Sequence, residues 1–182
     1  PVELPTWEGI AQRSYVYDAK GNEIAVYELE NSQPVSLSQV PHDVINALLA
    51  VEDRSFYSHE GVNVRGLVRA TLSNFEGGAR QGASTITQQV VKMEYLAGLE
   101  RDGRYKVLQI IYALRLEKLK TKDEILERYL NTVYFGNNTY GIQAAAEVYF
   151  GKSVEDLTLT DGAFLAGLVQ APTTYDPIRN PA

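Results

Sequence analysis

From Pro41 to Val169 the chain alternates helix-length stretches of periodic apolar residues with short Gly-rich or turn-prone segments, and that rhythm restricts it to a mainly α fold. Pro41, followed by Val44, Ile45, Leu48 and Leu49, opens the first helix, which runs to about Val51. Further helices are predicted at about Val64 to Phe75, Ser84 to Leu96, Arg104 to Lys118, Lys122 to Val133, Ile142 to Tyr149 and Asp161 to Val169. The sharpest boundary is Thr121, whose hydroxyl can cap a helix while Glu124 returns a bond to the cap, a reciprocal capping box. Ahead of this body, Ser14-Tyr15-Val16-Tyr17 and Ile24-Ala25-Val26-Tyr27 flank a turn-rich loop and read as a β-hairpin, with Pro34 to Val40 as a linker. Tyr134-Phe135-Gly136 returns as Tyr149-Phe150-Gly151, but a single echo is not the fixed period of a repeat protein.

The 182 residues, 45% hydrophobic and 22% charged, suffice for one compact domain with a core. A formal charge of −6 argues against general nucleic-acid binding, so any anionic ligand must be held by a local cationic cluster. Cysteine is absent, which excludes disulfides, thiolate zinc sites and cysteine nucleophiles. No stretch approaches the roughly 18 consecutive apolar residues of a membrane span, and Pro1 to Trp7 lacks the features of a signal peptide, so the chain reads as soluble or membrane-peripheral.

Three segments could carry chemistry. Glu52-Asp53-Arg54-Ser55-Phe56-Tyr57-Ser58-His59-Glu60-Gly61 gathers carboxylates, a guanidinium and an imidazole at the end of an apolar helix. A carboxylate leaving such a helix is partly desolvated, which raises its pKa and improves it as a base; the plainer alternative is pairing with Arg54 or capping of a turn. In Gly82-Ala83-Ser84-Thr85-Ile86-Thr87-Gln88-Gln89-Val90-Val91-Lys92, Gly82 supplies a turn and Ser84 a cap, and Ser84, Gln88 and Lys92 share one helix face. They could grip a sugar phosphate or be an ordinary solvent face. Arg101-Asp102-Gly103-Arg104-Tyr105-Lys106 sets three cations before a helix on which Lys106 and Gln109 share a face, suited to a diphosphate leaving group or simply exposed. His42 and His59 lack any metal-ligand spacing, no G-x-S-x-G elbow supports a serine hydrolase, and no Ser-x-x-Lys supports a transpeptidase.

Together, Glu52-Asp53-Arg54-x-Phe56-Tyr57-x-His59-x-Gly61, Gly82-Ala83-Ser84-Thr85-Ile86-Thr87-Gln88-Gln89, Ile125-Leu126-x-x-Tyr129-Leu130-Asn131-x-Val133-Tyr134-Phe135-Gly136 and Gly141-Ile142-Gln143-Ala144-Ala145-Ala146-x-x-Tyr149-Phe150-Gly151-Lys152, followed by Leu165-Ala166-Gly167-Leu168, resemble the peptidoglycan glycosyltransferase family. That family comprises the class A penicillin-binding proteins and the monofunctional transglycosylases. The resemblance runs from about Val40 to Pro177, in order and with family-like spacing.

The resemblance implies a mainly α, lysozyme-like, two-lobed glycosyltransferase domain over residues 41–182, with residues 1–40 a β-hairpin linker following a membrane anchor that lies before Pro1. It implies polymerisation of lipid II into β-1,4-linked glycan strands with inversion and release of undecaprenyl diphosphate, Glu52 acting as general base. Ser84, Thr85, Gln88, Gln89, Lys92, Arg101 and Lys106 are the implied substrate-binding residues, with Arg101 in a loop whose length varies in the family. Gln109 stands where the family usually carries a second catalytic glutamate, and Tyr105 where it carries an arginine; Gln109 can donate and accept hydrogen bonds but holds no charge. Alternatives are a lipid II-binding domain with weak or no turnover because of Gln109, and a lysozyme-like hydrolase using Glu52 as acid. No cofactor is required by this reading, although a divalent cation could assist the diphosphate. The implied partners are lipid II, the growing strand, the membrane surface and a transpeptidase domain of the parent protein, at the outer face of the cytoplasmic membrane.

Overall fold

The computed structural model describes residues 4, 6, 7, 9, 10, 14–21, 23–27, 32–63, 66 and 84–178. Among them the chain is mainly α, with two short antiparallel hairpins, β1 (Ser14–Tyr17) with β2 (Glu23–Tyr27) and β3 (Tyr134–Gly136) with β4 (Thr139–Tyr140). The helix expected at about Val64 to Phe75 lies, Gly66 apart, outside the described residues, as do Gly82 and Ala83. No helix among the described residues is long and apolar enough to cross a membrane. The chain divides into two compact units, Pro1–Trp7 with Leu49–Tyr129, and Glu8–Leu48 with Leu130–Ala182. The division falls inside α1 (His42–Glu52) and inside α4 (Lys122–Thr132).

The first unit is built on α2 (Ile86–Glu94) and α3 (Gly103–Leu119), which pack against each other. Thr85, rather than Ser84, is the N-cap of α2: its hydroxyl accepts from the Gln88 N–H while the Gln88 side chain returns a bond to the Thr85 N–H. Asp102 caps α3 by accepting from the Tyr105 N–H at 2.9 Å, so that helix starts at Gly103, earlier than the apolar pattern alone suggests. The Thr121 box is present, with Thr121 N–H donating to Glu124 and Glu124 N–H to the Thr121 hydroxyl. Ile86, Val90, Val91, Leu96, Ala113, Leu116, Ile125, Leu126 and Tyr129 form the apolar interior. Arg128 clamps Glu94 with two parallel bonds of 2.7 Å, tying the end of α2 to α4.

In the second unit, Val44 of α1 lies so close to Gly162 of α6 (Leu159–Gln170) that a Cβ there would come 2.9 Å from the Val44 Cα. A capping box of Thr158 and Asp161 starts α6 two residues before the predicted boundary. Asn137 and Asn138 turn β3 into β4 with positive φ of 46° and 56°, a conformation asparagine tolerates better than most residues. The Asn131 side chain grips the backbone of Val35 in both directions, accepting from its N–H at 2.8 Å and donating to its carbonyl at 2.7 Å. The expected linker from Pro34 to Val40 is thus pinned, and it carries a 3-10 turn at Leu37–Gln39. Gly151, in the left-handed conformation, ends α5 (Ile142–Phe150).

Gly61 combines a φ of +83° with a position where a Cβ would meet the Ala113 carbonyl oxygen at 2.8 Å, so both backbone conformation and space require glycine. Gly61→Ala is expected to lower stability by about 2 kcal/mol, the order of the cost of such strain, read as a drop in the urea midpoint. An unchanged midpoint would contradict this.

Candidate active site

Glu52 is the last residue of α1, where the helix leaves its apolar surroundings. Its carboxylate is half-buried, and Oε2 accepts from Gln89 Nε2 of α2 at 2.8 Å. Desolvation by burial raises its pKa above the usual carboxylate range, the Gln89 bond pulls it down, and the neighbouring Asp53 charge raises it again. A partly dry carboxylate fixed by one neutral donor has the makings of a general base.

Asp53, only 6% exposed, has a different task. Its Oδ2 accepts from the Ile86 N–H at 3.0 Å and from His59 Nε2 at 2.8 Å. The Gly61 N–H donates to His59 Nδ1 at 3.1 Å, which assigns the neutral ring with its proton on Nε2. The Thr85 hydroxyl closes the same network by donating to the Gly61 carbonyl at 2.7 Å. The acid and the imidazole join the start of α2 to the loop after α1. Among the described residues no three His, Asp or Glu side chains converge as metal ligands.

The third cluster stands where α3 meets α2. Lys106 Nζ donates to Gln109 Oε1 at 2.8 Å and to Ser84 Oγ at 3.4 Å, and Gln109 Nε2 donates to the Gln88 carbonyl at 2.9 Å. Partial desolvation lowers the pKa of the Lys106 ammonium.

The profile of the family described as Transglycosylase matches residues 20–182. The chain belongs to the transglycosylase family. Penicillin-binding protein 1A of Escherichia coli (strain K12) is 47% identical over 164 residues, covering 90% of this chain and 19% of that protein. Penicillin-binding protein 1F of Bacillus subtilis (strain 168) is 43% identical over 169 residues, covering 92% of this chain and 24% of that protein. A solved structure of penicillin-binding protein 1A from Haemophilus influenzae aligns with a TM-score of 0.47 at 26% identity, covering 96% of this chain and 16% of that one. The chain therefore spans a quarter or less of the length of these penicillin-binding proteins.

Of the residues singled out in this family member, Ser84, Lys106 and Gln109 come together, and Glu52 joins Gln89. Thr85 and Gln88 are buried, their side chains spent on the cap of α2, so Ser84, Gln88 and Lys92 do not form a continuous solvent-facing line. Lys92 and Arg101 line a groove of about 320 Å³ with Leu96, Leu99 and Tyr105. The tie from Gln89 to Glu52 and the network through Asp53 and His59 join residues with no periodic relation, so neither is legible in the sequence. Tyr129, named in the sequence only as part of a motif, is fully buried with no hydrogen-bond partner for its hydroxyl among the described residues. Burial, then the charges of Glu52 and Asp53, push the pKa of that hydroxyl well above its usual value.

Because the Gln89 bond favours the ionised carboxylate, Gln89→Met is expected to move the Glu52 titration, followed by carbon NMR of its side chain, to higher pH. A midpoint that stays or falls would show that Gln89 does not tune this group.

Proposed function

We propose that this chain is a peptidoglycan glycosyltransferase domain that polymerises lipid II, with Glu52 as general base. The observation that carries the reading is the half-buried Glu52 carboxylate, its pKa raised by desolvation and its orientation set by Gln89. In an inverting transfer the ionised carboxylate takes the proton from the 4-hydroxyl of the acceptor sugar as that oxygen attacks the anomeric carbon of the growing strand. The bond from that carbon to the diphosphate breaks, and its electron pair leaves with undecaprenyl diphosphate. Negative charge then builds on the diphosphate, and Lys106, held beside the Ser84 hydroxyl, is a cation suited to receive it. Lys92 and Arg101 offer two more cations for the phosphates or sugar of the donor.

Membership of the transglycosylase family and resemblance to penicillin-binding proteins support this substrate class. The lipid tail would remain in the bilayer, which puts the domain at the outer face of the cytoplasmic membrane, within a longer protein that carries a membrane anchor and a transpeptidase domain. No cofactor is needed by this route, and a divalent cation assisting the diphosphate would supplement the side chains named here.

Labelled lipid II in detergent is the direct test. The parent chain should yield long glycan, and Glu52→Gln should reduce the rate at least about 100-fold with the fold retained, the usual scale for losing a general base. Unchanged polymerisation in Glu52→Gln would remove Glu52 from this role. Soluble fragments released from sacculi would point to a hydrolase, and product from Gln109→Glu alone would point to a binding domain disabled at that position.

A further inference from the structure

The side chain at position 109 makes two bonds at once that an amide can make and an ionised carboxylate cannot. Its oxygen accepts from Lys106 Nζ at 2.8 Å, and its nitrogen donates to the Gln88 backbone carbonyl at 2.9 Å. The residue is 4% exposed, so neither bond is exchanged for water. A carboxylate in the same place would keep the first bond but turn a lone pair toward the Gln88 carbonyl, two buried acceptors with no proton between them. It would also make an ion pair with Lys106. As the chain stands, no carboxylate among the described residues forms an ion pair with Lys106, whose polar neighbours there, the Ser84 hydroxyl and the Gln109 amide, are both neutral.

We infer that Gln109 is a positioning residue that presents Lys106 as an uncompensated cation to a diphosphate, so that this chain holds that anion more tightly than it would with an acid at position 109. The inference rests on the proposed glycosyl transfer for its physiological ligand, while the binding it describes can be measured without turnover. The hydrogen bond to α2 fixes where the ammonium stands, and the neutrality of the amide leaves its charge unspent. The departing diphosphate gains charge during the reaction, so an unpaired ammonium stabilises it more than one already matched by a carboxylate. The same feature retains the product diphosphate longer and makes free diphosphate a better competitor.

Inorganic pyrophosphate in metal-free buffer is the probe, with its affinity for the whole chain measured by calorimetry at constant ionic strength. Lys106→Met should weaken binding at least about tenfold, a value on the scale of one charge-assisted contact. Gln109→Leu, which loses the positioning but leaves the ammonium unpaired, should weaken it about threefold, and Gln109→Glu about tenfold, on the same scale. Lys106 in Gln109→Glu should also titrate at higher pH by NMR than in the parent, the signature of an ion pair, with thermal unfolding confirming that each variant is folded. Equal affinity in the parent and Gln109→Glu would overturn the inference while leaving the polymerase reading to the Glu52→Gln assay. Pyrophosphate that does not bind the parent would overturn both the inference and the anion role given to Lys106. Normal polymerisation by Glu52→Gln would remove the proposed base and leave the order of pyrophosphate affinities standing or falling by itself.

Discussion

The buried Asp53 carboxylate is the contact on which the described part of the site depends. A carboxylate taken out of water is tolerated only when its lone pairs are met by donors, and Asp53 Oδ2 has two, the Ile86 N–H at the start of α2 and His59 Nε2. Those donors come from different segments, so satisfying one charge brings them together: the end of α1, the loop through His59 and Gly61, and the first turn of α2. The N-terminal end of a helix also favours the negative charge, adding a second reason for the acid to sit there. Glu52 inherits its place from this arrangement. It adjoins Asp53 in sequence, and once Asp53 is fastened to α2 the Gln89 amide on the same helix reaches the Glu52 carboxylate.

Adjacent carboxylates thus take different roles by environment. Asp53 is buried with two donors on Oδ2, while Glu52 has one neutral donor and a pKa held up by burial and by its neighbour's charge. Tyr129 contributes to that surrounding in a quieter way. Its ring is part of the apolar interior beside the pair, and its hydroxyl, surrounded by little that could stabilise an anion, stays protonated. The region therefore carries no additional negative charge from this group.

The mainly α character and most helix positions were legible because apolar periodicity and capping residues act within a few positions of one another. Thr121 with Glu124 is such a case. Boundaries slipped where a cap was overlooked: Asp102 lengthens α3, the Thr158 and Asp161 pair lengthens α6, and Thr85 takes the cap read for Ser84. In the candidate site, the density of ionisable groups from Glu52 to Glu60 drew attention to a stretch whose side chains bond across to α2, but their division of labour did not follow from it. Which acid is tied down by two donors and which keeps a single neutral donor depends on Ile86 and Gln89, more than thirty positions away, and no local rule connects them. The dual bonding of Gln109 was hidden for the same reason, since its partner is a backbone carbonyl on another helix.

Gln88 and Gln89 are consecutive residues of α2, and one turns its backbone toward Gln109 while the other turns its side chain toward Glu52. The helix behaves as a shared axle for the Glu52 carboxylate and the Lys106 ammonium. Rolling or sliding it as a rigid rod would disturb both attachments together, whereas loosening either side chain alone would leave the other attachment in register. Mechanical tolerance here is consequently set by the seating of a single helix, whose Ile86, Val90 and Val91 are fully buried in the core.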